Sequence, residues 1–164
     1  MGHDLVRTGS EVRRTPRRAE GARALLADKP RAIRCNRAEF ETLAGAAPEG
    51  SALASFARAS GATVGLTGAV DLVSDGERLA AIANGDPLLA LITALGCAAS
   101  ALVAAAQAIE EDAFVATAAG LLWIGVAGEI AARRACGPAS LSVALIDTLH
   151  RLDAEALIAH ARIT

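Results

Sequence analysis

The apolar positions of this chain fall into two regimes. Up to about residue 83 they come in short runs broken by polar turns; beyond it they crowd into long stretches with few charges. In the first regime, Thr15 followed by Pro16 predicts a helix start: a hydroxyl cap, then a residue whose missing N–H costs nothing at the first helical position. That helix is expected from about Pro16 to Asp28, with Glu20 one turn in and Pro30 closing it. "RAIRC", residues 31–35, predicts a short buried strand. Asn36 opens "NRAEFETLAG", a helix in which Phe40 and Leu43 share a face and Gly45 supplies the stop. "SALASFARASG" then predicts a further amphipathic helix, and "ATVGLTG", residues 62–68, another strand. The order α, β, α, α, β is that of a layered α/β domain. After "SDGER" turns the chain, Asn84-Gly85 between the apolar runs "RLAAIA" and "PLLALIT" predicts a hairpin over residues 78–92, because both turn residues tolerate positive φ. From Gly96 onward helices are expected at about 96–109, 112–135, 139–150 and 153–161, the third opened by Gly137-Pro138 and the fourth capped by Asp153.

The second regime raises a choice. Leu88 to Ile109 carries no charge, and ~20 apolar residues are enough to cross a bilayer; with residues 113–128 it would make a membrane hairpin. The stretch is rich in Ala, follows an Asn-Gly turn and contains Thr93 and Gly96-Cys97, where a strand hands over to a helix. Glu129 and "AARRACG" continue the next segment as an ordinary amphipathic helix. A buried strand, turn and helix is therefore the expectation, with no membrane. Composition agrees: hydrophobic residues make up 53% and aromatics 2%, so the core is built from small aliphatic side chains suited to close packing of helices on a sheet. A chain of 164 residues can bury one such core and is short for two.

Net charge is −2 with a pI near 5.9, which argues against a polyanion-binding surface and against nucleic acid as a partner. Arg13, Arg14, Arg17 and Arg18 read as a solvated helix entry. The three cysteines, Cys35, Cys97 and Cys136, show neither metal-ligand nor disulfide spacing, which fits a reducing cytoplasm. The N-terminus has basic residues but no apolar run after them, so no secretory signal is expected.

Candidate chemistry gathers at the turns. Gly96-Cys97 opens a helix whose first N–H groups lack intrahelical acceptors; such an end attracts phosphate, and the same amides favour a thiolate placed there. Cys97 is thus a candidate base or nucleophile, set against the plainer reading of a small buried hydrophobe. Asn36 and Glu39 have the spacing of a capping box, sufficient as structure alone; the functional alternative places Glu39 near Mg2+ and phosphate, with Arg34 projecting toward an anion. Thr67-Gly68, with Asp71 just beyond, is a third strand-end turn of this kind.

Taken together these segments resemble a known family. "RAIRCNRAEFETLAG", "TVGLTGAVDLVSDGERLAAIANGDPLLALITALGC" and "AGEIAARRACGPASLSVALIDTLHRL" are similar, collinearly from residue 31 on, to hydroxyethylthiazole kinases of the ribokinase-like fold, whose pattern is RGNxxE, TGxxD, NG, TGxGC, then AGE and GPGSF. The resemblance implies a layered α/β/α kinase domain over residues 1–164, lacking the first βα units and helix-rich in its C-terminal half. It implies transfer of the γ-phosphoryl of ATP, with Mg2+, to the hydroxyl of 4-methyl-5-(2-hydroxyethyl)thiazole in thiamine synthesis and salvage. It assigns Arg34 and Thr67 to the nucleotide, Glu39 and Asp4 to the metal, Ala94 to the thiazole and anion hole, and Cys97 to the proton of the substrate hydroxyl. A homotrimer with sites shared between subunits is implied as well.

Three positions depart from the pattern: Ala94 stands for the first Gly of TGxGC, where a methyl crowds a close approach or opposes positive φ; Cys35 stands for the Gly of RGN; and Ala139 for the second Gly of GPG. Members of the family also carry roughly a hundred further N-terminal residues, most of a domain's worth of structure. A second reading follows from this, a truncated homologue that retains partial nucleotide binding without turnover, since a parallel sheet without its first strands exposes an edge and a core face.

Overall fold

The computed structural model describes residues 6–8 and 16–164, with side chains described from Glu20 onward. Asp4, the Thr15 cap, Arg13 and Arg14 lie outside these, as do the side chains of Arg17 and Arg18. Among the described residues five strands form one sheet in sequential order: β1 (Val6–Thr8), β2 (Ala32–Asn36), β3 (Thr63–Thr67), β4 (Asp71–Ser74) and β5 (Leu79–Ile82). The first three run parallel, joined by helical crossovers, and β4 and β5 add antiparallel. Antiparallel hairpins thus join β3 to β4 across residues 68–70 and β4 to β5 across residues 75–78, where Asp75 Oδ1 accepts the amides of Glu77 and Arg78.

Asn84-Gly85 is therefore not a hairpin turn, contrary to the expectation from its dipeptide. "PLLAL" does not return as a strand; it forms a 3-10 helix, Pro87–Leu91, with Asp86 accepting from the Leu88 amide as its cap and Pro87 in its first turn. The Asp-Pro pair is a helix-start signal, and it outweighs Asn-Gly because β5 finds another edge partner. Residues 162–164 pair antiparallel with β5 through reciprocal bonds between Ala81 and Thr164 and a bond from the Ala83 amide to Arg162 O.

Alternation along the strands builds two faces. Ile33, Cys35, Val64 and Leu66 pack with Phe40, Leu53 and Ala57 of α2 (Arg37–Ala44) and α3 (Gly50–Ser60). On the opposite face Ala32, Val73 and Ile82 pack with Ala99 and Val103 of α4 (Leu95–Gln107) and with Leu121, Leu122, Ile124 and Val126 of α5 (Ala113–Ala132). The same alternation turns Arg34 and Thr67 toward α4. A third apolar layer joins α5 to α6 (Pro138–Arg151) through Ala127, Ala131, Leu141 and Leu145, and α7 (Ala154–His160) leads into the segment 162–164 that pairs with β5. These four helices begin and end within a few residues of their expected bounds; α1 (Pro16–Ala24) gives way earlier, to a 3-10 turn over Leu25–Asp28.

The uncharged stretch is not one rod. It breaks at residues 92–94 between the 3-10 helix and α4. Among the described residues α5 alone is long and apolar enough to span a bilayer, but 56% of its apolar window is buried within the chain. Its apolarity on all sides is that of a central helix, covered by α4, the sheet and α6. Asp112 starts it by accepting the Phe114 and Val115 amides. Arg78 ties that start to the β4–β5 turn, with bonds of 2.6 and 2.8 Å to Asp112 and one of 2.7 Å to Asp75, and its guanidinium lies 4.4 Å from the Phe114 ring centre. The Arg78 bonds hold the Asp112 carboxyl down at about 2.

Candidate active site

The C-terminal ends of β2 and β3, the chain leaving β5 and the first turn of α4 enclose a cleft of about 800 Å3. In α/β sheets this carboxyl edge is where crevices form, and the size suits a small-molecule ligand. Its polar end is built on β2 and β3. Arg34 is 4% exposed; its Nη1 donates to Thr67 Oγ1 at 3.1 Å, and that hydroxyl donates in turn to Cys35 O at 3.3 Å. Nη2 stands 3.8 Å from Glu39 Oε2, while Nε is buried with no hydrogen-bond partner. Glu39, 2% exposed, completes the capping box: Oε2 accepts the Asn36 amide at 2.8 Å and Asn36 Oδ1 accepts the Glu39 amide at 3.0 Å. Its Oε1 is left for another partner.

The opposing wall comes from α4. A Cβ on Gly96 would lie 3.0 Å from Arg34 Nη2, so any larger residue would push the guanidinium back from the helix start. A buried cation, 3.8 Å from the Glu39 carboxylate, thus sits against the positive end of a 13-residue helix, an arrangement that favours a further anion between them. The Leu95 and Gly96 amides, which have no intrahelical acceptor, and the guanidinium edge beside them are the donors such an anion would take. The donor set fits a phosphate. Cys97 is exposed, lines the cleft and is the third residue of α4, its amide donating to Ala94 O at 3.0 Å.

Ala94 precedes the helix at φ 63°, ψ 12°, a left-handed conformation that costs a residue with a Cβ about 1–2 kcal/mol. Replacing it by glycine removes that cost and adds about 0.4–1 kcal/mol of unfolded-chain entropy. Ala94→Gly is expected to stabilise by about 0.5–1 kcal/mol, raising the Tm by ~2 °C in a calorimetric comparison. An unchanged or lowered Tm would show that the turn carries no such strain. The other two departures lie away from the cleft. Cys35 is fully buried among the α2 and α3 side chains, its thiol pushed up to about 12 by that burial. Ala139 is exposed in the first turn of α6.

Asp71 faces the cleft and accepts the Gly68 amide at 2.8 Å. Burial pushes its carboxyl up to about 6, against the opposing pull of that amide and of Arg34. Since the folded value lies above the ordinary 3.8, the stabilising contribution is complete below pH 3.8 and is lost as pH rises through about 6. Asp71→Asn keeps the acceptor and removes the titration. Its Tm relative to the parent chain is therefore expected to climb between pH 4 and 6.5 in parallel melts; a constant offset would contradict the assignment.

A family model for hydroxyethylthiazole kinases matches residues 10–155. The chain belongs to the hydroxyethylthiazole kinase family. It is 44% identical to the hydroxyethylthiazole kinase of Granulibacter bethesdensis, over 88% of this chain and 58% of that one, and 46% identical to that of Cereibacter sphaeroides, over 90% and 60%. The solved hydroxyethylthiazole kinase protein of Pyrococcus horikoshii superimposes with a TM-score of 0.92 at 31% identity, over 99% of this chain and 65% of that chain. This family member thus spans about three fifths of the length of the curated relatives it matches.

Five of the six residues expected from the family pattern, Arg34, Glu39, Thr67, Ala94 and Cys97, line this cleft. Asn84, Gly85 and Asp86 line it too; assigning them to a hairpin turn hid them, and Asp86-Pro87 was the signal that would have revealed them.

Proposed function

We propose that this chain carries the phosphotransfer site of a hydroxyethylthiazole kinase, moving the γ-phosphoryl of ATP onto the hydroxyl of 4-methyl-5-(2-hydroxyethyl)thiazole. The observation that supports this most is the buried Arg34 guanidinium lying against the first turn of α4, two sets of donors suited to a polyphosphate. In this reading Arg34 and Thr67 bind the nucleotide phosphates. The α4 amides donate to the oxygens on which charge develops in the transferred group, the turn at Ala94 borders the thiazole, and Cys97 accepts the proton as the hydroxyl oxygen forms its bond to phosphorus and the bond to the ADP oxygen breaks.

Among the described residues no group of three or more His, Cys, Asp or Glu side chains could hold a metal. Mg2+ commonly takes one carboxylate together with phosphate oxygens and water, and Glu39 Oε1 fits that role; bound there, the ion would neutralise phosphate charge. Asp4 as a second metal-associated carboxylate, a homotrimer and a cytoplasmic location belong to the same proposal. Three free thiols accord with the last.

The test is ATP-dependent phosphorylation of hydroxyethylthiazole by the 164-residue chain. Turnover is expected, and Cys97→Ala is expected to lower kcat about 10²–10⁴-fold, the range of a lost general base. Turnover that survives this change undiminished would remove Cys97 from the reaction, and no turnover by the parent chain would remove the proposal.

A further inference from the structure

Glu129 lies in the second half of α5, outside the cleft, with no part in the reaction proposed above. Its side chain is 11% exposed, yet its carboxylate gathers four donors: the Gly85 amide at 2.8 Å, Asn84 Nδ2 at 3.2 Å, Arg162 Nη1 at 3.2 Å and Arg162 Nη2. Asn84, 6% exposed, is engaged on both sides of its amide, donating to His160 O at 2.9 Å and accepting the Arg162 amide at 2.7 Å. Arg162 Nη2 also donates to Ala83 O. The chain leaving β5 is thereby tied to α5 and to the C-terminal segment together.

α5 is shaped to receive it. A Cβ on Gly125 would fall 2.9 Å from Asn84 O, and one on Gly128 would fall 2.5 Å from Leu89 Cδ1. Three successive sites on one helix, Gly125, Gly128 and Glu129, therefore seat the stretch from Asn84 to Leu89. Gly85 is held at φ 144°, a conformation that side chains rarely adopt. That stretch lines the cleft and runs on through Ala94 into the helix start bearing Cys97. None of these contacts reaches Arg34 or Thr67, which stand on β2 and β3.

We propose that Glu129 is a positioning residue: by holding Gly85 and Asn84 it sets where the wall from Asn84 to Cys97 stands relative to Arg34 and Thr67. A carboxylate that served only to anchor the C-terminal segment would need Arg162 alone. Here it also takes the amide of a cleft-lining glycine. The catalytic consequence rests on the phosphotransfer reading. Loosening the wall misplaces Cys97 and the α4 amides while leaving the nucleotide donors on the sheet, so kcat suffers more than the KM for ATP.

Two measurements on the full chain decide it. Glu129→Ala is expected to speed hydrogen exchange of residues 84–96 at least tenfold while residues 32–36 and 63–67 stay as in the parent. It is also expected to lower kcat at least tenfold with the KM for ATP within threefold. Glu129→Gln keeps an acceptor for the Gly85 amide and is expected to retain most of the parent kcat. Unchanged exchange over 84–96, or faster exchange with an unaffected kcat, overturns the proposal, as does a loss confined to the KM for ATP. If the parent chain transfers no phosphate, the phosphotransfer reading falls by itself. Exchange then still decides the positioning role, faster supporting it and unchanged refuting it. Should Glu129→Ala fail to fold, Arg162→Ala, which removes a half-exposed partner, is expected to speed exchange at residues 84–86 about threefold, and no change there overturns the role.

Discussion

Arg34→Met is expected to cost at least ~100-fold in kcat/KM, chiefly as weakened ATP binding, because it deletes the cationic fork that lies against the α4 start. Charge-assisted hydrogen bonds to phosphate are among the stronger polar contacts, and Arg34 is already desolvated, so little of its attraction for an anion is spent on displacing water. Arg34→Lys keeps the charge and loses the planar fork and the reach to Thr67 Oγ1; it is expected to recover part of the binding but not all. Calorimetric titration of ATP with Mg2+ into each variant separates the outcomes. Equal affinity of Arg34→Met and the parent would mean that the phosphates bind elsewhere. The substitution also leaves Glu39 without its cation, but the Asn36 amide still donates to that carboxylate at 2.8 Å. The capping box is therefore expected to survive, visible as unchanged far-ultraviolet circular dichroism.

The largest effect on stability is expected at Gly120. A methyl there would stand 2.7 Å from Val103 Cα and 2.8 Å from its amide nitrogen, both main-chain atoms that no side-chain rotation moves aside. Alanine is worth about 1 kcal/mol over glycine inside a helix, while overpacking a tight contact costs about 1–3 kcal/mol or more. Because the clash is backbone against helix, the upper end applies. Gly120→Ala is expected to destabilise by about 2 kcal/mol net, lowering the Tm by ~4–8 °C, a large share of a total that is ordinarily 5–15 kcal/mol. Gly21→Ala in α1 makes the same chemical change where no atom lies within 4 Å, and should be neutral or stabilising. Opposite signs from one substitution type, read by thermal melts, would establish that α4 and α5 meet through a glycine contact. Equal signs would contradict it.

Much of the site was legible because its devices are local. The capping box between Asn36 and Glu39 needs only a three-residue spacing, and both of its bonds form. Strand alternation needs only a period of two, which brings Arg34 and Thr67 to the α4 side of adjacent strands. The helices after Gly96 follow from caps and apolar runs, and α5 from an apolar surface that one chain can bury on all sides. Cys97 proved harder, since composition favoured a buried thiol. Its exposure depends on where α4 starts, at a break between two helices of different pitch, and not at the strand end expected from Thr93.

The amino-acid order by itself determined what is set by neighbours a few residues apart: the two strands β2 and β3 and the helices between them, the capping box, the bounds of the last four helices and the family pattern of small residues. Tertiary structure decided what depends on partners far along the chain. Asn84-Gly85 became the edge of a cleft instead of a hairpin turn because residues 162–164 pair with β5 and Glu129 holds the Gly85 amide. Ala94 took a left-handed conformation because the helix it precedes is fixed against Arg34 and α5. A dipeptide preference amounts to a fraction of a kcal/mol to about 1 kcal/mol; several satisfied long-range hydrogen bonds and a packed helix outweigh it.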